Sequence, residues 1–137
     1  MDFVIIGGDA AGMSAASRAR RQYPDLRITV LEQSRDVSYS ACSMPYNIAD
    51  AQTPMDTLVV RTAAEFIDKH RIDLRTGHTV TAIQRDKREV SGRTADNEPF
   101  CTGYDKLLIA TGAAPTMPDM PGKELLMPLK QLEHGRQ

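Results

Sequence analysis

The chain has 137 residues, of which 41% are hydrophobic and 26% charged, and its net charge is −1. That profile fits one soluble globular domain with a moderate core and excludes disordered and fibrous chains. The near-neutral balance offers no general field for nucleic acid, and the densest basic cluster is Arg18-Ala19-Arg20-Arg21.

In chain order, Phe3-Val4-Ile5-Ile6 is a continuous apolar run of the kind a buried parallel strand requires, and it passes directly into Gly7-Gly8-Asp9-Ala10-Ala11-Gly12. From Ala11 to Gln22 small and long-chain residues predict a helix, whose basic end suits the negative pole of the helix dipole. Pro24-Asp25 turns the chain into a second strand, Leu26 to Leu31, with Glu32 at its C-terminal end, which completes a βαβ unit. Thr62 and Glu65 form a capping-box pattern for a helix over 62–70. Asp73-Leu74-Arg75, Thr79 to Ile83 and Glu89-Val90-Ser91 predict a small antiparallel meander. A last buried strand is expected at Lys106 to Ala110, stopped by Thr111-Gly112. Pro115, Pro118, Pro121 and Pro128 then predict an extended connector over 115–137, following a nucleotide-binding domain over 1–114. Apolar runs such as Leu107 to Ala110 are too short to span a bilayer, and Asp2 in the first strand leaves no basic leader, so a cytoplasmic location is expected.

The chemistry concentrates in three places. A glycine-rich turn between strand and helix aims backbone N–H groups at a diphosphate, and an acidic residue about 20 positions later accepts from a ribose. Gly7, Gly12 and Glu32 meet that pattern, whereas Asp9 puts a carboxylate where close backbone approach to phosphate is wanted. Cys42 lies in Ser38-Tyr39-Ser40-Ala41-Cys42-Ser43-Met44-Pro45-Tyr46, where Pro45 fits the first turn of a helix. A thiol near a helix N-terminus is favoured as thiolate, the nucleophilic form. Neither a C-x-x-C pair nor a zinc quartet is present, so no metal site is expected, and disulfide exchange at Cys42 needs a partner from outside the chain. Cys101, in a polar stretch, is expected to be structural.

Together, GGDAAGMSAASRARR, Glu32, Ser38-x-x-x-Cys42-x-x-Pro45-Tyr46 and Leu108-Ile109-Ala110-Thr111-Gly112-Ala113-x-Pro115 resemble the FAD domain of the pyridine nucleotide-disulfide oxidoreductases. Within that superfamily the chain resembles the single-cysteine branch, which includes coenzyme A-disulfide, persulfide and polysulfide reductases and NADH oxidases or peroxidases. The fold implied is α/β, a Rossmann-like FAD-binding βαβ domain with a parallel sheet and a small antiparallel meander.

The resemblance further implies FAD contacts from Gly7, Gly8, Ala10, Ala11, Gly12, Glu32, Gln33, Val80, Thr111 and Gly112, with Cys42 as the redox residue facing the flavin. It implies coenzyme A contacts from Ser14, Arg18, Arg21, Ser38 and His70. Two departures stand out: the asparagine that precedes the cysteine in the coenzyme A-disulfide reductases is Ala41 here, and their usual lysine is His70. NAD(P)H would be the co-substrate of a full-length homodimer, whose second nucleotide fingerprint is not found after Gly122. The resemblance therefore implies the N-terminal part of a longer reductase. NADH oxidase or peroxidase chemistry is the alternative within the superfamily. From another class, the alternative is a non-catalytic nucleotide-binding module with an adventitious thiol.

Overall fold

The computed structural model describes residues 1–50 and 52–137. Strands β1 (Asp2–Ile6), β2 (Arg27–Leu31), β3 (Asp73–Arg75) and β7 (Lys106–Ile109) form a sheet of order β3-β2-β1-β7, with every pairing parallel. Strands β4 (His78–Gln84), β5 (Glu89–Thr94) and β6 (Pro99–Gly103) form the antiparallel meander. The helices are α1 (Ala10–Gln22), α2 (Met44–Ala49), α3 (Ala63–Asp68) and α4 (Leu132–Arg136).

Strand alternation decides where each layer sits. Ile5 of β1 points into a core with Met13 and Ala16 of α1 and Phe66 of α3, while Val4 and Ile6 point to the opposite face and meet Val90 of β5. The sheet is thus covered by helices on one face and by the meander on the other. Such burial on both faces explains the continuous apolar character of β1. Phe66 is fully buried and contributes roughly 2–3 kcal/mol to holding α3 in place. The capping box at the start of α3 forms as predicted, with the Glu65 N–H donating to the Thr62 hydroxyl and the Thr62 N–H donating to the Glu65 carboxylate.

Three expectations need correction. Asp73–Arg75 pairs with β2 in the parallel sheet instead of opening the meander, because the chain between Glu32 and Ile72, including α3, supplies the crossover that a parallel pairing needs. The meander gains β6 in its place, with Pro99 at the first residue of the strand, where a missing N–H is tolerated. The strand at 106–109 is an edge strand that pairs, among the described residues, only with β1, so Leu107 and Leu108 are half-buried and Ile109 is exposed. The connector is extended over most of its length but ends in α4, whose Leu132 is buried against Met44 and Leu58.

Candidate functional site

At the C-terminal end of β1 the backbone turns through Gly7 at φ +107°, a conformation that side chains rarely adopt. Gly12, one turn into α1, is packed against that turn so closely that a Cβ would overlap the Gly7 carbonyl oxygen. These two glycines let α1 start directly over the strand end. The Gly8 N–H donates to Glu32 Oε2 at 2.6 Å, while the Ser34 N–H and hydroxyl donate to Glu32 Oε1 at 2.7 and 2.8 Å. Glu32 is therefore a buried, charge-assisted clasp between the turn and the end of β2.

A cleft opens over this turn. Its wall brings together Gly7, Glu32, Gln33, Thr111 and Gly112 of the predicted cofactor residues. Gly8 and Gly12 are buried behind it, Ala11 is exposed on the first turn of α1, and Ala10 faces a different cleft. Val80 lies outside both clefts on β4, half-buried against the Val4–Val90 cluster. Asp9 caps α1 by position only: its side chain makes no capping bond, and Oδ1 is buried without a hydrogen-bond partner among the described residues. The start of α1 consequently presents uncapped backbone donors beside an unsatisfied carboxylate oxygen. The turn, Glu32 and the Thr111-Gly112 loop fit the diphosphate and ribose of a dinucleotide. Asp9 opposes the phosphate by charge.

Cys42 sits in a 3-10 turn (Ala41–Ser43) that runs directly into α2, with Pro45 in the first turn of that helix, as the sequence indicates. The thiol is exposed and free. Its segment is pinned at both sides: the Ser38 N–H donates to the Gly8 carbonyl at 3.2 Å, the Val60 N–H to the Ser38 carbonyl at 2.9 Å, and the Ser40 N–H to the Leu58 carbonyl at 2.9 Å. Ser38 adopts φ +52°, a strained conformation for a residue other than glycine. Tyr39 walls both the cofactor cleft and a second cleft, and burial, reinforced by the Asp9 carboxylate, holds its hydroxyl pKa above the ordinary tyrosine value.

The second cleft collects Ser14 and Arg21 of α1 with Ser38, three of the five predicted coenzyme A residues. Arg18 is exposed elsewhere on α1. His70 also lies outside the cleft, its ring centroid 5.7 Å from that of Phe66 and its carbonyl accepting from Arg20 Nε at 2.9 Å. Cys101, expected to be structural, is exposed on β6 and makes no disulfide.

Several site residues escape sequence reasoning. Lys130, Gln131 and His134 reach the cofactor cleft from the C-terminal segment, and Arg61 lines the second cleft. Arg136 anchors that segment by bonding Asp36 and Asp56, which raises the guanidinium pKa chiefly through the Asp36 hydrogen bond. The only local signal for Arg61 is its place just before the capping-box threonine.

The family profile described as pyridine nucleotide-disulphide oxidoreductase matches residues 1–136. The chain belongs to this family. Among curated oxidoreductase relatives, an NADH oxidase of Methanocaldococcus jannaschii is 32% identical over 99% of this chain and 31% of its own length. A coenzyme A disulfide reductase of Staphylococcus aureus is 34% identical over 81% of this chain and 26% of its own. The solved structure of an NAD-dependent persulfide reductase from A. fulgidus superposes with a TM-score of 0.90 at 36% identity, covering 98% of this chain and 26% of that one. The chain thus spans about a quarter to a third of these relatives, and its Rossmann-type architecture is that of flavin-dependent oxidoreductases.

Proposed function

We propose that the chain is the FAD-binding part of an NAD(P)H-dependent disulfide oxidoreductase that reduces coenzyme A disulfide, or a related persulfide or polysulfide, through Cys42. The observation that carries this reading is an exposed thiol without an intrachain partner, three positions from the one tyrosine that walls both clefts. The names of the S. aureus and A. fulgidus relatives support the substrate class. Gly7, Glu32, Gln33, Thr111 and Gly112 would hold FAD, with the donors at the start of α1 directed to its diphosphate.

Cys42 Sγ, as thiolate, attacks one sulfur of the substrate disulfide. One S–S bond breaks, a first thiolate leaves, and a mixed disulfide forms on Cys42. Two electrons delivered to that bond release the second thiolate and restore Cys42. FAD, when bound, supplies those electrons from NAD(P)H. The pinned backbone at Ser38 and Ser40 holds the segment that carries Cys42, whose exposed thiol lines neither cleft. A homodimer is the assembly proposed for the full-length protein.

The test is to incubate the chain with coenzyme A disulfide and map the adduct by peptide mass spectrometry. One reductant-labile coenzyme A on Cys42, missing in Cys42→Ser, is the expected result. An unmodified chain, or an adduct confined to Cys101, contradicts the reading.

A further inference from the structure

The coenzyme A reading leaves a gap in charge. The basic residue that the family resemblance assigns to position 70 is a histidine, and the structure puts its ring 5.7 Å from that of Phe66, outside the second cleft, with its backbone carbonyl bonded to Arg20. The cleft itself still needs cations if it is to take a phosphorylated thiol. Arg21 supplies one from α1, and a second comes from Arg61.

Arg61 is placed by backbone pairing, not by a helix. Tyr39 and Val59 form an antiparallel bridge and Val60 donates to Ser38, which sets residue 61 beside Ser38 at the start of the run that leads to Cys42. The acid nearest to it in sequence, Glu65, is already engaged by the Thr62 N–H and by Lys69 Nζ, each at 3.1 Å. Neither Arg21 nor Arg61 joins an ion pair among the described residues, in contrast with Arg27, Arg75 and Arg136, each of which is matched to an aspartate. Two guanidiniums outside the ion pairs line one cleft with the hydroxyls of Ser14, Ser17 and Ser38, and although the Glu65 carboxylate lies within electrostatic reach of Arg61, together they supply the donors that a phosphate requires.

We infer that Arg61, acting with Arg21, is the specificity-determining cation that binds a phosphate group of the thiol substrate, in the part that resemblance would give to position 70. This inference rests on the coenzyme A reading above. It makes the phosphates, as well as the disulfide, a reason for a substrate to reach Cys42.

The test compares two disulfides of the same reactive end, coenzyme A disulfide and pantetheine disulfide, which lacks the phosphates, by the rate of thiol release on reaction with Cys42. The wild-type chain is expected to react faster with coenzyme A disulfide. Arg61→Ala should cut that advantage about tenfold, the loss of one charge-assisted phosphate contact, while leaving the pantetheine rate unchanged. Arg61→Lys should restore part of it, because the charge returns without the planar fork. His70→Ala should leave it intact. Survival of the advantage in Arg61→Ala, or its loss in His70→Ala alone, overturns the assignment of Arg61 and leaves the disulfide reading standing. Equal wild-type rates for the two substrates also overturn it. If neither disulfide modifies Cys42, both the inference and the reading fail.

Discussion

The two clefts that share Tyr39 are built from opposite chemistries. The cleft over the glycine turn is lined by the carboxylates of Asp9, Glu32 and Asp36 together with Lys130 and His134, and in the proposed function it would take the dinucleotide. The second cleft is lined by Arg21 and Arg61 among serine hydroxyls and, in the proposed function, would take phosphate through side chains. Under the proposed function, a dinucleotide and a phosphorylated thiol would be sorted within one small domain by the residues that line each cleft. The first side would depend on geometry, since the turn has no room for a side chain at Gly7 or Gly12. The second side would depend on the charges of Arg21 and Arg61.

Breaking the geometry should have the largest effect. Gly12→Ala drives a Cβ into the Gly7 carbonyl and should cost about 3 kcal/mol in chemical denaturation, with loss of flavin retention. An unchanged denaturation midpoint would mean that α1 can shift off the turn. Next, Arg136→Ala removes the bonds that tie the C-terminal segment to Asp36 and Asp56, and about 2 kcal/mol of stability should go with them. Protease should then cut before Leu132 in the variant and not in the wild type. Asp9→Asn keeps the shape of the turn and removes its charge, so flavin affinity should rise by a few fold, read by quenching of flavin fluorescence. A fall in affinity would show that the carboxylate has a partner in the bound state.

The smallest effect concerns the shared wall. The folded state holds the Tyr39 proton more tightly than the unfolded chain does, chiefly through burial. Its contribution is therefore fully present below the ordinary value of 10.0 and declines as pH rises above it. Tyr39→Phe should flatten the alkaline fall in urea midpoint, and identical alkaline slopes would contradict this.

Legibility in the sequence followed the range of the interactions. The β1–α1–β2 unit and the α3 capping box were readable because a strand, its glycine turn and a cap are specified by neighbours. Asp73–Arg75 was legible as a strand but not in its partner, since three residues carry no sign of pairing direction. The cofactor wall was half legible: Gly7 and Glu32 follow a known spacing, whereas Lys130 and His134 arrive through contacts distant in sequence, among them Arg136 with Asp36 across 100 positions of chain and the burial of Leu132 against Met44 and Leu58. Arg61 was silent for the same reason, its place being set by a bridge between Tyr39 and Val59.

The separation of the two clefts is tested most directly by a crossed titration in a Cys42→Ser background, where binding is measured without covalent capture. FAD and coenzyme A disulfide are each titrated calorimetrically onto Glu32→Gln and Arg61→Ala. Glu32→Gln should weaken FAD about tenfold, through loss of the charged clasp on Gly8 and Ser34, and leave coenzyme A disulfide unchanged. Arg61→Ala should do the reverse. If both variants weaken both ligands alike, the clefts are not separate sites and the account is wrong.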